Sequence, residues 1–143
     1  MGSLSLSGLR EHALLLVDSP PIIYVIEGHQ RLAAVFAPVF AAHASGRVGL
    51  AVTTMAIAEV LTGPLRAGNE ALAERYRITL NSWYVVDLDA DIAERAARLR
   101  ATYRLKLGDA VQAASAIAIN ADALVTHDRD FAAITGLRII GTN

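Results

Sequence analysis

The sequence contains no cysteine, and Lys106 is its only lysine. Without cysteine the chain can form neither a disulfide nor a thiolate metal site, which fits a protein of the reducing cytoplasm. A net charge of −1 gives no global basic field that would hold nucleic acid non-specifically. If the substrate is a nucleic acid, local arginines and a bound cation must therefore offset the charge of its phosphates.

Long apolar runs are also missing. Asp18 ends the run at residues 14–17, and Glu, Arg or Asp breaks each alanine-rich stretch, so we expect no membrane span. The hydrophobic fraction of 54% against 19% charged residues excludes disorder and favours a well-buried core. A length of 143 residues suits one compact domain, which we predict to cover residues 1–143.

Short apolar runs alternate with helical segments along the chain. The predicted strands are residues 14–17, 48–52, 84–86, 123–126 and 138–140. The predicted helices start near Ile22, Arg31, Thr53 or Thr54, Glu70, Asp89 or Asp91, Ala110 and Asp130. Gly63-Pro64 is expected to interrupt the third helix. This alternation predicts an α/β fold, with a mainly parallel sheet of about five strands covered on both faces.

Four acidic residues lie near the ends of the predicted strands. Asp18 directly follows the first strand, Glu59 lies in the helix after the second, Asp109 stands at a helix start, and Asp128 lies two residues past the fourth strand. In open α/β sheets, ligand sites form beyond the carboxyl ends of the strands, so we expect these side chains at one edge. Carboxylates gathered there need a cation, and their hard oxygen atoms suit Mg²⁺ or Mn²⁺.

Each of these acids also has an ordinary structural interpretation when it is taken alone. Asp109 could cap a helix, Asp18 could belong to a turn with Ser19 and Pro20, and Glu59 and Asp128 could be solvated. The four in order favour a metal site instead. Such a metal can lower the pKa of bound water and stabilise charge on a phosphate. Between the two neighbouring acids, we assign Asp128 to the metal and Asp130 to a helix N-cap.

Four short segments, each containing one of these acids, together resemble the PIN-domain family, especially the toxins of VapBC-type bacterial toxin–antitoxin systems. The segments are Val17-Asp18-Ser19-Pro20-Pro21-Ile22-Ile23-Tyr24 with Ile26-Glu27-Gly28, Ala58-Glu59-Val60-Leu61 with Gly63, Leu107-Gly108-Asp109-Ala110 with Ala113-Ala114 and Ala116, and Ala123-Leu124-Val125-Thr126-His127-Asp128-Arg129-Asp130-Phe131. The resemblance runs from about Leu14 to Ile140. It implies a PIN-like three-layer α/β/α sandwich and RNA hydrolysis dependent on Mg²⁺ or Mn²⁺. It also implies a homodimer, a small antitoxin partner, and Asp18, Glu59, Asp109 and Asp128 as the catalytic and metal-binding residues.

Two positions depart from the family pattern. Pro20 stands where the family often has a polar residue, commonly Asn, and Ala56 stands where it often has Ser or Thr. Fewer hydrogen-bonding side chains are therefore expected around the acids.

Three other readings of the sequence stay open. Asp18 could be the nucleophile of a phosphoryl-transfer enzyme, although Pro20 replaces the second Asp that such enzymes usually carry. The domain could also be a binding module that has lost catalysis. His127 could touch a phosphate because it neighbours Asp128, whereas Ser19 and Ser115 have no sign of a partnered base.

Overall fold

The computed structural model describes residues 4–141, in which helices and strands alternate. The strands are β1 (Ala13–Val17), β2 (Val48–Thr53), β3 (Tyr84–Val86), β4 (Ala123–Val125) and β5 (Ile139–Ile140). The α-helices are α1 (Ser19–Glu27), α2 (Leu32–Ala44), α3 (Thr54–Arg66), α4 (Glu70–Asn81), α5 (Ala90–Tyr103) and α6 (Leu107–Ala118). A 3₁₀ helix (Arg129–Ala133) lies between β4 and β5. The predicted order of elements is therefore confirmed.

The strands form one sheet in the order β3-β2-β1-β4-β5, and every pair is parallel. The chain moves outward from β1 through β2 to β3, then crosses to the other side of β1 to form β4 and β5. Strand order therefore changes direction between β1 and β4. At such a point the connections diverge and leave a crevice at the carboxyl ends of the strands.

The sheet is buried on both faces. Along β1, Leu15 and Val17 pack with residues of α1, α2 and α3, whereas Leu16 packs on the opposite face with residues of α5 and α6. The same alternation in β2 and β4 divides the interior into two apolar clusters. Because two helical layers enclose one parallel sheet, the predicted α/β/α sandwich is confirmed.

The prediction that Gly63-Pro64 interrupts the third helix is wrong. Helix α3 continues through both residues to Arg66. Pro64 removes one backbone hydrogen bond, but it lies in the last turn of the helix and is buried. Ala67 N–H donates to the Gly63 carbonyl and closes the turn.

Two helices also begin earlier than predicted. Helix α1 starts at Ser19, because the Asp18 carboxylate accepts the Ser19 N–H and the prolines occupy the first turn. Helix α6 starts at Leu107, so Asp109 is in its first turn and is not its N-cap. Across the described part of the chain, no helix is long and apolar enough to span a membrane.

Candidate active site

Asp18 is fixed at the end of β1 by hydrogen bonds to both of its carboxylate oxygens. Gln112 Nε2 and the Ser19 N–H donate to Oδ1, each over 2.9 Å, and Thr126 Oγ1 donates to Oδ2 over 2.8 Å. Only 6% of Asp18 is exposed. Burial raises the pKa of this carboxyl, an effect that the three hydrogen bonds oppose. The surrounding structure therefore holds the carboxylate in one orientation, partly by stabilising its charged form.

Glu59 approaches the same edge from helix α3. Thr53, the last residue of β2, caps this helix by accepting the Ala56 N–H, so the helix starts directly at the sheet edge. Ser19 Oγ donates to Glu59 Oε1 over 3.0 Å. Glu59 is thus tied to the residue that follows Asp18, although 40 positions separate Ser19 and Glu59 in the sequence.

Asp109 lies in the first turn of α6, where the positive end of the helix dipole favours a carboxylate. Its Oδ2 atom is buried and has no hydrogen-bond partner among the described residues. Burial, with the nearby charges of Asp128 and Asp18, raises the pKa of Asp109 to about 6. A buried carboxylate oxygen without a partner, close to other acids, fits a cation ligand in its chemistry.

Asp128 is the N-cap of the 3₁₀ helix, so the assignment of the cap to Asp130 is wrong. Asp128 Oδ1 accepts the N–H of Asp130 over 2.8 Å, and the Asp128 N–H donates to Thr126 Oγ1. Strand β4 ends one residue earlier than predicted and the turn after it is one residue shorter, which together move the cap two positions, from residue 130 to Asp128. Asp130 is instead in the first turn of the 3₁₀ helix.

The four predicted acids line a single cavity of about 120 Å³. Its walls also include Ser19, Pro20, Met55, Gly108 and Gln112. Within the described residues, carboxylate oxygens of Asp109, Asp128 and Asp130 lie within 4.8 Å of one another, a separation that one metal ion could bridge. The structure thus brings Asp18, Glu59, Asp109 and Asp128 to one place, and it adds Asp130 at the exposed rim.

A comparison with protein families decides what kind of domain surrounds this cavity. Residues 15–137 match the sequence model of the PIN domain. The chain belongs to the PIN domain family. The match spans the region from β1 almost to β5, so this PIN domain contains all four predicted acids within the matched segment.

Solved structures resemble this PIN domain over most of its length. A toxin–antitoxin complex from Klebsiella pneumoniae has a chain that is 28% identical, with a TM-score of 0.69 over 86% of this chain and 94% of the other. VapBC2 from Rickettsia felis, bound to a DNA fragment from its promoter, is 20% identical, with a TM-score of 0.73 over 91% and 99%. VapC20 of Mycobacterium tuberculosis, a sarcin–ricin loop cleaving toxin, is 18% identical, with a TM-score of 0.66 over 87% and 98%. No curated protein sequence matches.

The sequence analysis missed the side chains that hold Asp18 and Glu59. Gln112 is 1% exposed and lies three residues after Asp109, on the same side of α6. A glutamine within a helix segment otherwise made mainly of alanine, valine and isoleucine was the signal available in the sequence. The expectation of fewer hydrogen-bonding side chains around the acids rested on Pro20 and Ala56 alone; in this PIN domain Ser19, Gln112 and Thr126 donate to Glu59 and Asp18 from other positions.

Proposed function

We propose that this PIN domain is a metal-dependent endoribonuclease, the toxin of a toxin–antitoxin pair, with Asp18, Glu59, Asp109 and Asp128 as its catalytic and metal-binding residues. The observation that carries the proposal is the cavity in which acids from four separate segments meet around the unpartnered Oδ2 of Asp109. Family membership and the likeness to the Klebsiella pneumoniae toxin–antitoxin complex support it. The sarcin–ricin loop cleaving toxin adds support for RNA as the substrate class.

The residues of the cavity fit Mg²⁺ or Mn²⁺. Both ions prefer carboxylate oxygen. Four of the residues that line this cavity are carboxylates, and its lining contains neither histidine nor cysteine. Asp109 and Asp128 would hold the ion directly, with Asp18 at the buried end and Glu59 at the exposed side. When bound, the ion would make a water molecule more acidic and stabilise the negative charge that builds on the phosphate.

The protein's own side chains orient the reaction. Gln112 and Thr126 keep Asp18 from rotating, and the Ser19 hydroxyl fixes Glu59 Oε1. Among the described residues Glu59 Oε2 makes no hydrogen bond, which leaves it able to accept a proton from the attacking water. The water oxygen would then form a bond to phosphorus while the bond from phosphorus to one ribose oxygen breaks, and that oxygen would leave as a hydroxyl after taking up a proton from solvent. Preorganised groups of this kind need little rearrangement during the reaction.

Partner proteins follow from the same proposal. The similar chain from Klebsiella pneumoniae was solved in a toxin–antitoxin complex, and we propose a small antitoxin for this chain as well. A basic side chain of such a partner would complement the acidic cavity. We also propose a homodimer, and a single domain over residues 1–143, of which 1–3 and 142–143 lie outside the described residues.

The test is cleavage of mixed RNAs by the purified protein. We expect cleavage with Mg²⁺ or Mn²⁺ and none with EDTA, and addition of excess Mn²⁺ should restore the activity after chelation. A protein that binds RNA but cleaves none of it under any of these conditions would contradict the nuclease and identify a binding module. Cleavage that continues in EDTA would contradict the metal site.

A further inference from the structure

A second cleft adjoins the carboxylate cavity on its outer side. It has a volume of about 500 Å³ and is lined by Pro20, Tyr24, His127, Asp128 and Arg129. We call it the ring cleft. Pro20 and Asp128 line both spaces, so the ring cleft opens directly beside the place where a phosphate would react.

The two rings of this cleft are held rigidly. The Tyr24 hydroxyl and His127 Nδ1 form a hydrogen bond of 2.9 Å, and the rings stand nearly perpendicular, with centroids 5.5 Å apart. Phe36, which is fully buried, lies beneath both rings at centroid distances of 6.0 and 6.1 Å. His29 also packs on Tyr24, with a centroid distance of 5.2 Å. The rings themselves remain partly exposed, although their bond and the aromatic layer restrict their rotation.

Arg129 adds a positive charge to the ring cleft, whose lining also includes the carboxylate of Asp128. Arg129 is exposed, and among residues 4–141 it forms no salt bridge, a property it shares with several other arginines of the chain, but Arg129 alone of the arginines lines the ring cleft. A free guanidinium suits a phosphate, because its planar set of donors can make paired hydrogen bonds to phosphate oxygens.

We propose that the ring cleft binds the nucleotide next to the bond that is cut, with its base stacked against the Tyr24–His127 pair and its phosphate contacted by Arg129. The inference rests on the proposed ribonuclease function and extends it to a substrate-binding subsite. A nucleotide of single-stranded RNA matches all three features of the cleft. Its base can stack on the rings, its phosphate can pair with Arg129, and its backbone can continue into the reaction centre. Stacking tolerates any base, so the subsite would add affinity more than sequence selectivity.

The experiment measures binding separately from cleavage. Anisotropy of a fluorescein-labelled single-stranded RNA is recorded in EDTA for the wild-type protein and for His127→Ala, Arg129→Ala and Arg75→Ala. We expect His127→Ala and Arg129→Ala each to raise Kd about tenfold. Arg129→Ala should also reduce the slope of the logarithm of affinity against the logarithm of salt concentration by about one, as expected for the loss of one phosphate contact. Arg75 on α4, which is exposed and lies outside the cleft, is the matched control, and its substitution should leave Kd nearly unchanged.

A second arm tests the stacked base directly. The bases flanking the cut bond, located by mapping cleavage in Mn²⁺, are removed one at a time to leave abasic ribose. One such removal should weaken binding to the wild-type protein about tenfold and should hardly affect His127→Ala, which has already lost the ring. Tyr24→Phe, which keeps the ring and loses the bond to His127, should fall between the wild-type protein and His127→Ala.

The outcomes separate this inference from the proposed function. Wild-type RNA affinity in both His127→Ala and Arg129→Ala would overturn the ring cleft as a subsite, even if the protein cleaves RNA. Loss of antitoxin binding alone in these variants would overturn it in favour of a protein contact. A wild-type protein that binds RNA with the expected dependence on His127 and Arg129 but never cleaves it would support the subsite and contradict the nuclease.

Discussion

Gln112 donates from Nε2 to Asp18 Oδ1 over 2.9 Å, and 94 residues separate the two in the sequence. Both side chains are almost fully buried, and Gln112 Oε1 has no hydrogen-bond partner among the described residues. An interior amide with an unpartnered carbonyl oxygen costs free energy unless a water molecule completes it. We interpret Gln112 as a positioning residue that links the middle of α6 to the end of β1.

Replacing Gln112 with leucine tests this role. Leucine has a similar size but donates no hydrogen bond, so Asp18 can rotate and its pKa should rise further. We expect turnover of RNA to fall about tenfold and the Mn²⁺ concentration for half-maximal activity to rise, while KM for RNA changes little. Steady-state kinetics at several Mn²⁺ concentrations measure all three quantities.

Ser115→Ala is the matched control for this substitution. Ser115 is also buried on α6, one turn further along, and does not line the carboxylate cavity. A purely structural role for Gln112 predicts that Gln112→Leu lowers the melting temperature without changing the Mn²⁺ dependence. That result would contradict the positioning role.

Substitutions can distinguish the roles of Asp128 and Asp130, because Asp128 both caps the 3₁₀ helix and lines the carboxylate cavity. Asparagine keeps the N-cap oxygen but is a poorer metal ligand, whereas alanine removes both functions. Asp128→Asn should therefore lose most turnover at the same or a higher melting temperature, because it also removes a negative charge near Asp109 and Asp18. Asp128→Ala should lose turnover and melt about 3 °C lower than Asp128→Asn, for a cap worth about 1 kcal/mol. Asp130→Asn should retain more turnover than Asp128→Asn, because Asp130 lies at the exposed rim.

Thermal melts and initial rates on the three variants decide the assignment. Loss of turnover in Asp130→Asn with full activity in Asp128→Asn would transfer the metal-binding role to Asp130. Equal melting temperatures for Asp128→Asn and Asp128→Ala would contradict the cap.

Much of this fold could be predicted because its signals are local. The run Leu14-Leu15-Leu16-Val17 predicts a strand buried on both faces, and Thr53 is a good N-cap directly after a second apolar run. The site could be predicted in outline for a related reason, since residues that follow parallel strands meet at one edge. The order of the acids along the chain was therefore enough to place them together.

The remaining details depend on contacts between distant segments. Helix α3 continues through Pro64, which is buried in its last turn, and a Gly-Pro pair in the sequence does not reveal that burial. Ser19 and Thr126 support Glu59 and Asp18 only after the elements have packed. The choice of N-cap between Asp128 and Asp130 depends on where β4 ends and on the length of the turn after it. Differences of one or two residues at these points cannot be predicted from sequence signals for helix starts.

The raised pKa of Asp109 predicts how stability depends on pH in the absence of metal. The folded value is about 6 and the ordinary value is 3.8, so between these values the folded protein binds more protons than the unfolded chain. The free energy of unfolding contributed by Asp109 is therefore largest below pH 4 and falls as pH rises through about 6. Asp18, whose pKa is also raised, acts in the same direction.

The measurement is the difference in melting temperature between the wild-type protein and Asp109→Asn in EDTA. We expect Asp109→Asn to become the more stable protein as pH rises from 4 to 7, because it lacks the charge that must stay near Asp128 and Asp18. Both proteins contain groups such as Asp122, whose lowered pKa makes stability rise with pH. The contributions of these groups cancel in the difference between the two melting temperatures. A difference that does not change with pH would contradict the buried position of Asp109. Mn²⁺ should stabilise the wild-type protein most at pH 7, where the ion meets ionised carboxylates.

The most direct test of the central claim is cleavage of one single-stranded RNA in Mn²⁺ by the wild-type protein and by Asp18→Asn, purified in parallel. The amide oxygen of asparagine can accept from Gln112 and Ser19, and its amide nitrogen can donate to Thr126 Oγ1, while a negative charge is removed, so the fold should persist and the metal-free protein should melt at the same or a higher temperature. We expect the rate for Asp18→Asn to fall at least about a hundredfold, because a carboxylate ligand is lost from the reaction centre. A folded Asp18→Asn protein that cleaves the RNA as fast as the wild-type protein would contradict the account, since the activity would then come from another site or another protein.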